Sequence, residues 1–112
     1  MKIKVNLESP ILCLCEQGVD RSGAMKHELV IKRGYKNVLT AGTHTTTPET
    51  LRMLGNWAEL IIVAADQSVW DVVPWDLKGK AVFENIGKDI WHRPDDPQLE
   101  KICQNIADKY KF

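Results

Sequence analysis

The hydrophobic residues of this chain gather in short runs separated by mixed polar and apolar stretches. Unbroken apolar runs occupy Ile11–Cys15 and Leu60–Ala65, and weaker ones lie at residues 37–41 and 80–84. Apolar runs of this length, without polar alternation, are typical of strands buried on both faces of a parallel sheet. The pattern therefore predicts four strands.

The stretches between these runs have helical spacing. Residues 23–33 place apolar side chains one turn apart and are followed by Gly34, which suits the end of a helix. Thr47 and Pro48 are typical of an N-cap and a first turn, and predict a second helix. A short helix is expected after the third strand. The last helix is predicted by one apolar stripe: Leu99, Ile102, Cys103, Ile106 and Tyr110.

Strands that alternate with helices require crossover connections, which make the sheet parallel and cover both of its faces with helices. We therefore predict an α/β fold with one domain over residues 1–112 and a four-stranded parallel sheet. Residues 2–6 could add an edge strand. Ligands of such sheets bind beyond the carboxyl ends of the strands, and Cys15 lies at such an end.

Composition narrows the possible partners. The chain is 44% hydrophobic and 27% charged, and its 15 basic residues balance its 15 acidic ones. It lacks the basic excess of nucleic-acid-binding proteins and any apolar run near the roughly 20 residues of a membrane helix. The three cysteines have no metal-ligand spacing, and the first residues lack a signal-peptide core. We expect a cytoplasmic protein with reduced thiols and with neither nucleic-acid nor membrane partners.

The segment between the first strand and the first helix carries the candidate chemistry. A loop that curls at a helix N-terminus points backbone N–H groups inward and can cradle a phosphate dianion. The same donors would stabilise a thiolate at Cys15. Arg21 offers a planar fork for two phosphate oxygens, Gly18 suits a positive φ, and the Ser22 hydroxyl can donate to the sulfur.

This pattern predicts a phosphate-binding loop after the first core strand. Cys15 is the expected nucleophile and Arg21 the expected phosphate clamp. The other residues predicted to surround the substrate phosphate are Glu16, Gln17, Gly18, Val19, Asp20 and Ser22.

The run from Cys15 to Ser22 matches the C-x5-R-[S/T] signature and resembles the protein tyrosine phosphatases. In the larger enzymes of that class the signature lies late in the chain. Here it lies near the start, as in the low-molecular-weight family, which begins with strand, signature loop and helix and supplies its acid near the C-terminus. Residues 41–43 and 57–66 extend the resemblance along nearly the whole chain.

The chain departs from the family at Asp20 and Gly23, where a cysteine and a proline are usual. Its length is similar to that of a compact subgroup of predicted phosphatases. The resemblance implies hydrolysis of phosphate monoesters, above all phosphotyrosine in proteins, through a cysteinyl-phosphate intermediate. The implied substrate is a phosphorylated protein or a small phosphate ester, and no metal or organic cofactor is required.

A phosphatase also needs a carboxylic acid to protonate the leaving oxygen. Asp89, Asp95 and Asp96 all precede the last helix. Asp96 stands before Pro97 and fits an N-cap, a role for which Asp95 competes. Asp89 is therefore favoured as the general acid. The family places an aromatic residue just after its acid, which implies that Trp91 stacks on the phosphotyrosine ring, although Ile90 stands where the family has proline.

Three alternatives stay open. Arsenate reductases share this fold and a similar loop but need further cysteines near the site, whereas Cys13 precedes the loop and Cys103 belongs to the helical stripe. Sugar-transport phosphocarriers of the IIB type also place a cysteine after the first strand, but they lack the arginine clamp. A non-catalytic phosphopeptide-binding module would fit if none of the three aspartates reaches the loop.

Overall fold

A computed structural model describes residues 5–91 and 93–110 of the chain. Strands and helices alternate along it: β1 is Ile11–Cys15, α1 Asp20–His27, β2 Val38–Gly42, α2 Pro48–Trp57, β3 Leu60–Ala65, α3 Gln67–Asp71, β4 Ala81–Asn85 and α4 Pro97–Ala107. A π-helical turn, Glu28–Lys32, extends α1, and a 3-10 helix, Trp75–Lys80, precedes β4. Within the described part of the chain, no helix has the length and apolar character needed to cross a bilayer.

The four strands form one parallel sheet in the order β2-β1-β3-β4, which confirms the predicted fold class. β1 pairs with β2 on one side and β3 on the other, so Ile11 lies between Val38 and Leu60. Every residue of β1 and β3 is buried, as their continuous apolar runs predict. Since the chain leaves β1 for one neighbour and returns to its other side, the carboxyl end of β1 is a topological switch point, where such sheets bind ligands.

Helices cover both faces of the sheet, as predicted. The first core lies under α1 and α4 and includes Cys13, Met25, Leu29, Leu99 and Cys103. The second core lies under α2, α3 and the 3-10 helix and includes Leu12, Leu14, Leu51, Val69 and Leu77. Gly55 allows α2 to approach the 3-10 helix closely, because a Cβ there would lie 2.5 Å from Leu77 Cδ2.

Some boundaries differ from those predicted. α1 begins at Asp20 rather than residue 23, because the end of the candidate loop already forms its first turn; its N-cap, Val19, makes no side-chain cap and so gives no signal in the sequence. Gly34 ends the helical stretch with a φ of +80°, as expected, but the π-helical turn before it and the 3-10 helix were not predicted. The possible edge strand at residues 2–6 lies mostly outside the described residues, and residues 5 and 6 are not in a strand.

Candidate active site

Cys15 is the last residue of β1 and lies at the topological switch point. Its Sγ accepts a hydrogen bond from the backbone N–H of Gly18 at 3.2 Å and lies 3.2 Å from Ser22 Oγ. Ser22 is fully buried and Cys15 is only 2% exposed, so water competes little for these contacts. A backbone donor and a hydroxyl that can donate therefore converge on the sulfur and can stabilise negative charge on it.

The loop after Cys15 is held from outside by the segment that follows β2. Three successive carbonyl oxygens accept hydrogen bonds from it: Cys15 from Thr43 N at 2.9 Å, Glu16 from His44 N at 2.9 Å and Gln17 from Thr45 Oγ1 at 3.2 Å. In a trans peptide the C=O and the next N–H point in opposite directions, so the amides of residues 16–18 point away from that segment. The Gly18 N–H does point at Cys15 Sγ, as this geometry requires.

Two glycines make this close packing possible. Gly18 has a φ of +77°, which confirms the positive φ predicted for it. A Cβ on Gly18 would lie 2.7 Å from the backbone nitrogen of Gly42, and a Cβ on Gly42 would lie 2.4 Å from the carbonyl carbon of Gln17. Gly42 was not predicted to act in the site, although its place at the end of a strand beside β1 is a usable signal.

Arg21 is completely buried in the first turn of α1. Its Nη1 donates to the carbonyl oxygen of Gly87 at 2.8 Å and lies 3.5 Å from Asp66 Oδ2. Its Nε and Nη2 are buried and have no hydrogen-bond partner among residues 5–91 and 93–110. These two nitrogens form one edge of the guanidinium, spaced to bind two oxygens of one anion. Burying a donor without a hydrogen bond destabilises the folded protein, so this edge points to an oxyanion ligand that accepts from both nitrogens.

Asp66, directly after β3, is a site residue that the sequence analysis missed. Its carboxylate accepts hydrogen bonds from the Ser68 hydroxyl and from Val69 N, which makes it the N-cap of α3. The Ser68 hydrogen bond, with smaller contributions from Val69 N and the Arg21 guanidinium, holds the pKa of Asp66 below its ordinary value. Asp66 therefore stays ionised near neutral pH and can hold Arg21. The signal that could have identified Asp66 is its position: it is an acidic residue directly after β3, the strand that pairs with β1.

The other predicted loop residues lie around the rim. Glu16 is half-buried, and its Oε2 lies 3.9 Å from Arg21 Nη2. Gln17 and Val19 are exposed on the solvent side of the loop, and Asp20 is half-buried at the start of α1. Within this segment, Cys15 and Ser22 therefore contact each other, and Glu16 lies beside the Arg21 guanidinium.

Two of the three candidate acids have structural roles. Asp96 is the N-cap of α4 and accepts a hydrogen bond from Gln98 N at 2.9 Å, which confirms its predicted capping role. Asp95 pairs with Arg93 at 3.2 Å, and both side chains are largely exposed. Neither observation brings these carboxylates to Cys15.

Asp89 is exposed and lies two residues after Gly87, whose carbonyl oxygen binds Arg21. The segment that carries Asp89 is therefore fastened to the guanidinium. Trp91 is only 7% exposed and packs in the first core. The sequence analysis expected Trp91 to stack on a substrate ring. Its side chain is packed in the core, and the stacking stays a prediction.

The remaining cysteines differ from Cys15 in their surroundings. Cys13 and Cys103 are free, fully buried thiols in the first core. Burial raises the pKa of Cys13 well above its ordinary range and raises the pKa of Cys103 to about 12. Both thiols therefore stay protonated and unreactive at neutral pH.

No protein-family model matches the chain, and no match was found among curated proteins or among solved structures. The chemistry of the site is therefore inferred from its own side chains. A buried sulfur that accepts a backbone hydrogen bond and a buried guanidinium edge form a site suited to a tetrahedral oxyanion.

Proposed function

We propose that this protein hydrolyses phosphate monoesters, phosphotyrosine in proteins foremost, through a cysteinyl-phosphate intermediate. The observation that carries the proposal is the Nε and Nη2 edge of Arg21, which is buried and has no hydrogen-bond partner among the residues that the structure describes. The signature, placed between the first core strand and the first helix, supports placing the protein near the low-molecular-weight tyrosine phosphatases. A catalytic thiol needs a reducing compartment, which supports a cytoplasmic location.

In the first step the Cys15 thiolate attacks phosphorus while the backbone donors of the loop and Arg21 hold the other phosphate oxygens. The sulfur–phosphorus bond forms as the bond from phosphorus to the ester oxygen breaks. Asp89 gives its proton to that oxygen, and the alcohol or phenol leaves. Asp89 is the acid of choice because Asp96 caps α4 and Asp95 pairs with Arg93.

In the second step Asp89, now a carboxylate, takes a proton from a water molecule that attacks the cysteinyl phosphate. The sulfur–phosphorus bond breaks and inorganic phosphate leaves with the water oxygen. The Ser22 hydroxyl, 3.2 Å from the sulfur, can donate to the thiolate as it departs.

Two of the three alternative functions are disfavoured by contacts in the structure, and the third is not. Burial of Cys13 and Cys103 counts against arsenate reduction, because neither thiol is available to take over oxidation from Cys15. The buried edge of Arg21, without a hydrogen-bond partner among the described residues, counts against a phosphocarrier, which has no need of such a clamp. A phosphopeptide-binding module would use the same loop and differ only in lacking a working acid.

Turnover by two variants tests the proposal. Cys15→Ser should lower hydrolysis of para-nitrophenyl phosphate by about 10⁶-fold, the scale of a lost covalent nucleophile. Arg21→Lys keeps the positive charge but loses the planar pair of donors that binds two phosphate oxygens, and should lower turnover by about 10²- to 10³-fold. Cys103→Ser is the matched control and should keep near-normal turnover, because Cys103 lies in the core.

Each rival leaves a different result. Substantial turnover by Cys15→Ser would exclude the covalent mechanism. A Cys15 that accepts phosphate from a partner protein, with little effect of Arg21→Lys, would indicate a phosphocarrier. Tight phosphopeptide binding by a wild-type protein that hydrolyses nothing would indicate a binding module.

A further inference from the structure

The rim of the proposed phosphate site carries an acid beside the guanidinium edge assigned to the phosphate. Glu16 Oε2 lies 3.9 Å from Arg21 Nη2, too far for a hydrogen bond but within ion-pair distance. Nη2 is one of the two donors left for the oxyanion, so an anion bound there has the Glu16 carboxylate as a neighbour. Like charges at this separation repel, which makes binding of a bare phosphate dianion less favourable.

Glu16 is free to interact with a ligand as well as with Arg21. Its backbone is held, because its carbonyl oxygen accepts from His44 N, but its side chain is 39% exposed. Within residues 5–91 and 93–110, Arg21 is the cation within ion-pair distance of Glu16. When Arg21 binds a phosphate, the carboxylate is left beside two negative oxygens and is stabilised by any new cation within reach.

We propose that Glu16 is a specificity-determining residue that favours phosphate monoesters with a cationic group next to the phosphate. In a phosphotyrosine protein this group would be a lysine or arginine beside the phosphorylated residue. The inference rests on the proposed function. A substrate cation offsets the repulsion between Glu16 and the phosphate, whereas a neutral or acidic neighbour does not.

The expected gain in affinity for a cationic substrate is small, because the Glu16 side chain is partly exposed to solvent. An ion pair with a partly exposed carboxylate changes affinity by about 2- to 5-fold. Salt screens such a pair, so the preference should shrink as ionic strength rises. The same charge should weaken binding of inorganic phosphate, which carries no cation to compensate.

Two phosphotyrosine peptides that differ only in a lysine or a glutamine beside the phosphorylated residue test this inference. Their binding is measured by calorimetry on Cys15→Ser protein, and their hydrolysis on protein with Cys15 intact. The lysine peptide should bind about 2- to 5-fold more tightly at low salt. Glu16→Gln should remove this preference and tighten binding of inorganic phosphate by a similar factor.

Glu59→Gln is the matched control. This substitution removes the same charge from an exposed side chain. Glu59 lies just before β3, and its backbone N–H donates to Pro10 O at the opposite end of the sheet from Glu16. The lysine preference should survive this substitution.

Equal binding of the two peptides, or a preference that survives Glu16→Gln, would overturn the role of Glu16 while leaving the phosphatase proposal intact. A Glu16-dependent preference in a protein that hydrolyses neither peptide would support the selection by Glu16 and overturn the catalytic proposal. Failure to bind either peptide or inorganic phosphate would contradict both.

Discussion

The interior of β1 and its carboxyl end carry two thiols in contrasting surroundings. Cys13 is fully buried and Cys15 is 2% exposed, so the exposed fraction does not separate them. Cys13 packs among apolar side chains, and burial raises its pKa. Cys15 Sγ instead contacts Gly18 N and Ser22 Oγ. At the strand end the backbone leaves the sheet and can turn its amides toward a side chain, and this local geometry separates an inert thiol from a candidate nucleophile.

The same contrast extends across the sheet. Its interior holds apolar side chains whose burial stabilises the fold. Its carboxyl edge gathers Cys15, Arg21, Asp66 and Gly87, with two guanidinium nitrogens that have no hydrogen-bond partner among the described residues. Substitutions at the edge should therefore change rates more than stability, and substitutions in the interior should do the reverse.

The largest expected effect at the edge, after loss of Cys15, is that of Asp89→Asn. It should slow phosphotyrosine hydrolysis by roughly 10²- to 10⁴-fold, the usual range for acid catalysis. The loss should shrink as the leaving phenol becomes more acidic, because such a group needs less protonation. A series of aryl phosphates measures this dependence.

Asp96→Asn is the control for Asp89→Asn, since asparagine caps a helix about as well as aspartate and should leave the rate near wild type. A nearly silent Asp89→Asn, with the leaving-group dependence at Asp95 or Asp96 instead, would transfer the acid role to that residue. If none of the three aspartates mattered, a phosphopeptide-binding module would explain the site better.

Cys13→Ser tests the interior. The serine hydroxyl would be buried among apolar side chains, and an unpaired hydroxyl there should lower the free energy of unfolding by about 1–3 kcal/mol. The turnover number of the folded protein should stay the same, because Cys13 takes no part in the reaction. Denaturant unfolding and steady-state kinetics give the two quantities. Lost turnover with an unchanged fold would contradict the separation of interior and edge.

Asp66→Asn is the smallest expected effect on stability. The variant keeps an N-cap for α3 but loses the charge facing Arg21, at a cost of about 1 kcal/mol near neutral pH. Because the folded-state pKa of Asp66 is below the ordinary value of about 3.9, its contribution is complete above that pH and is lost as the pH falls through the folded-state pKa. Unfolding of both proteins across acidic pH should show their difference disappearing, and a constant difference would contradict the pairing.

Local signals in the sequence were enough to predict the fold. The apolar runs of β1 and β3 gave both strands with their observed bounds, and the alternation with helices gave the parallel sheet. Thr47 and Asp96 marked two helix starts correctly, because capping depends on neighbouring residues. The 3-10 helix Trp75–Lys80 was missed, since it depends on packing against α2.

The candidate site was only partly predictable for the same reason. Cys15 and Arg21 stand in one short loop, so their pattern is visible in the sequence. Asp66 and Gly87 contact Arg21 from 45 and 66 residues away, and the order of the strands decides that contact. The burial of Trp91 likewise depends on tertiary packing, which the sequence around Asp89 does not reveal.

Rapid-quench analysis of para-nitrophenyl phosphate hydrolysis, with mass spectrometry of the digested protein, tests the central claim most directly. We predict a phosphoryl group on Cys15 early in the reaction and none on Cys15→Ser protein. It should accumulate in Asp89→Asn, because this leaving group needs little protonation whereas hydrolysis of the intermediate still needs a base. Hydrolysis without phosphorylated Cys15, or with the phosphoryl group on another residue, would contradict the claim that this loop holds phosphate for attack by Cys15.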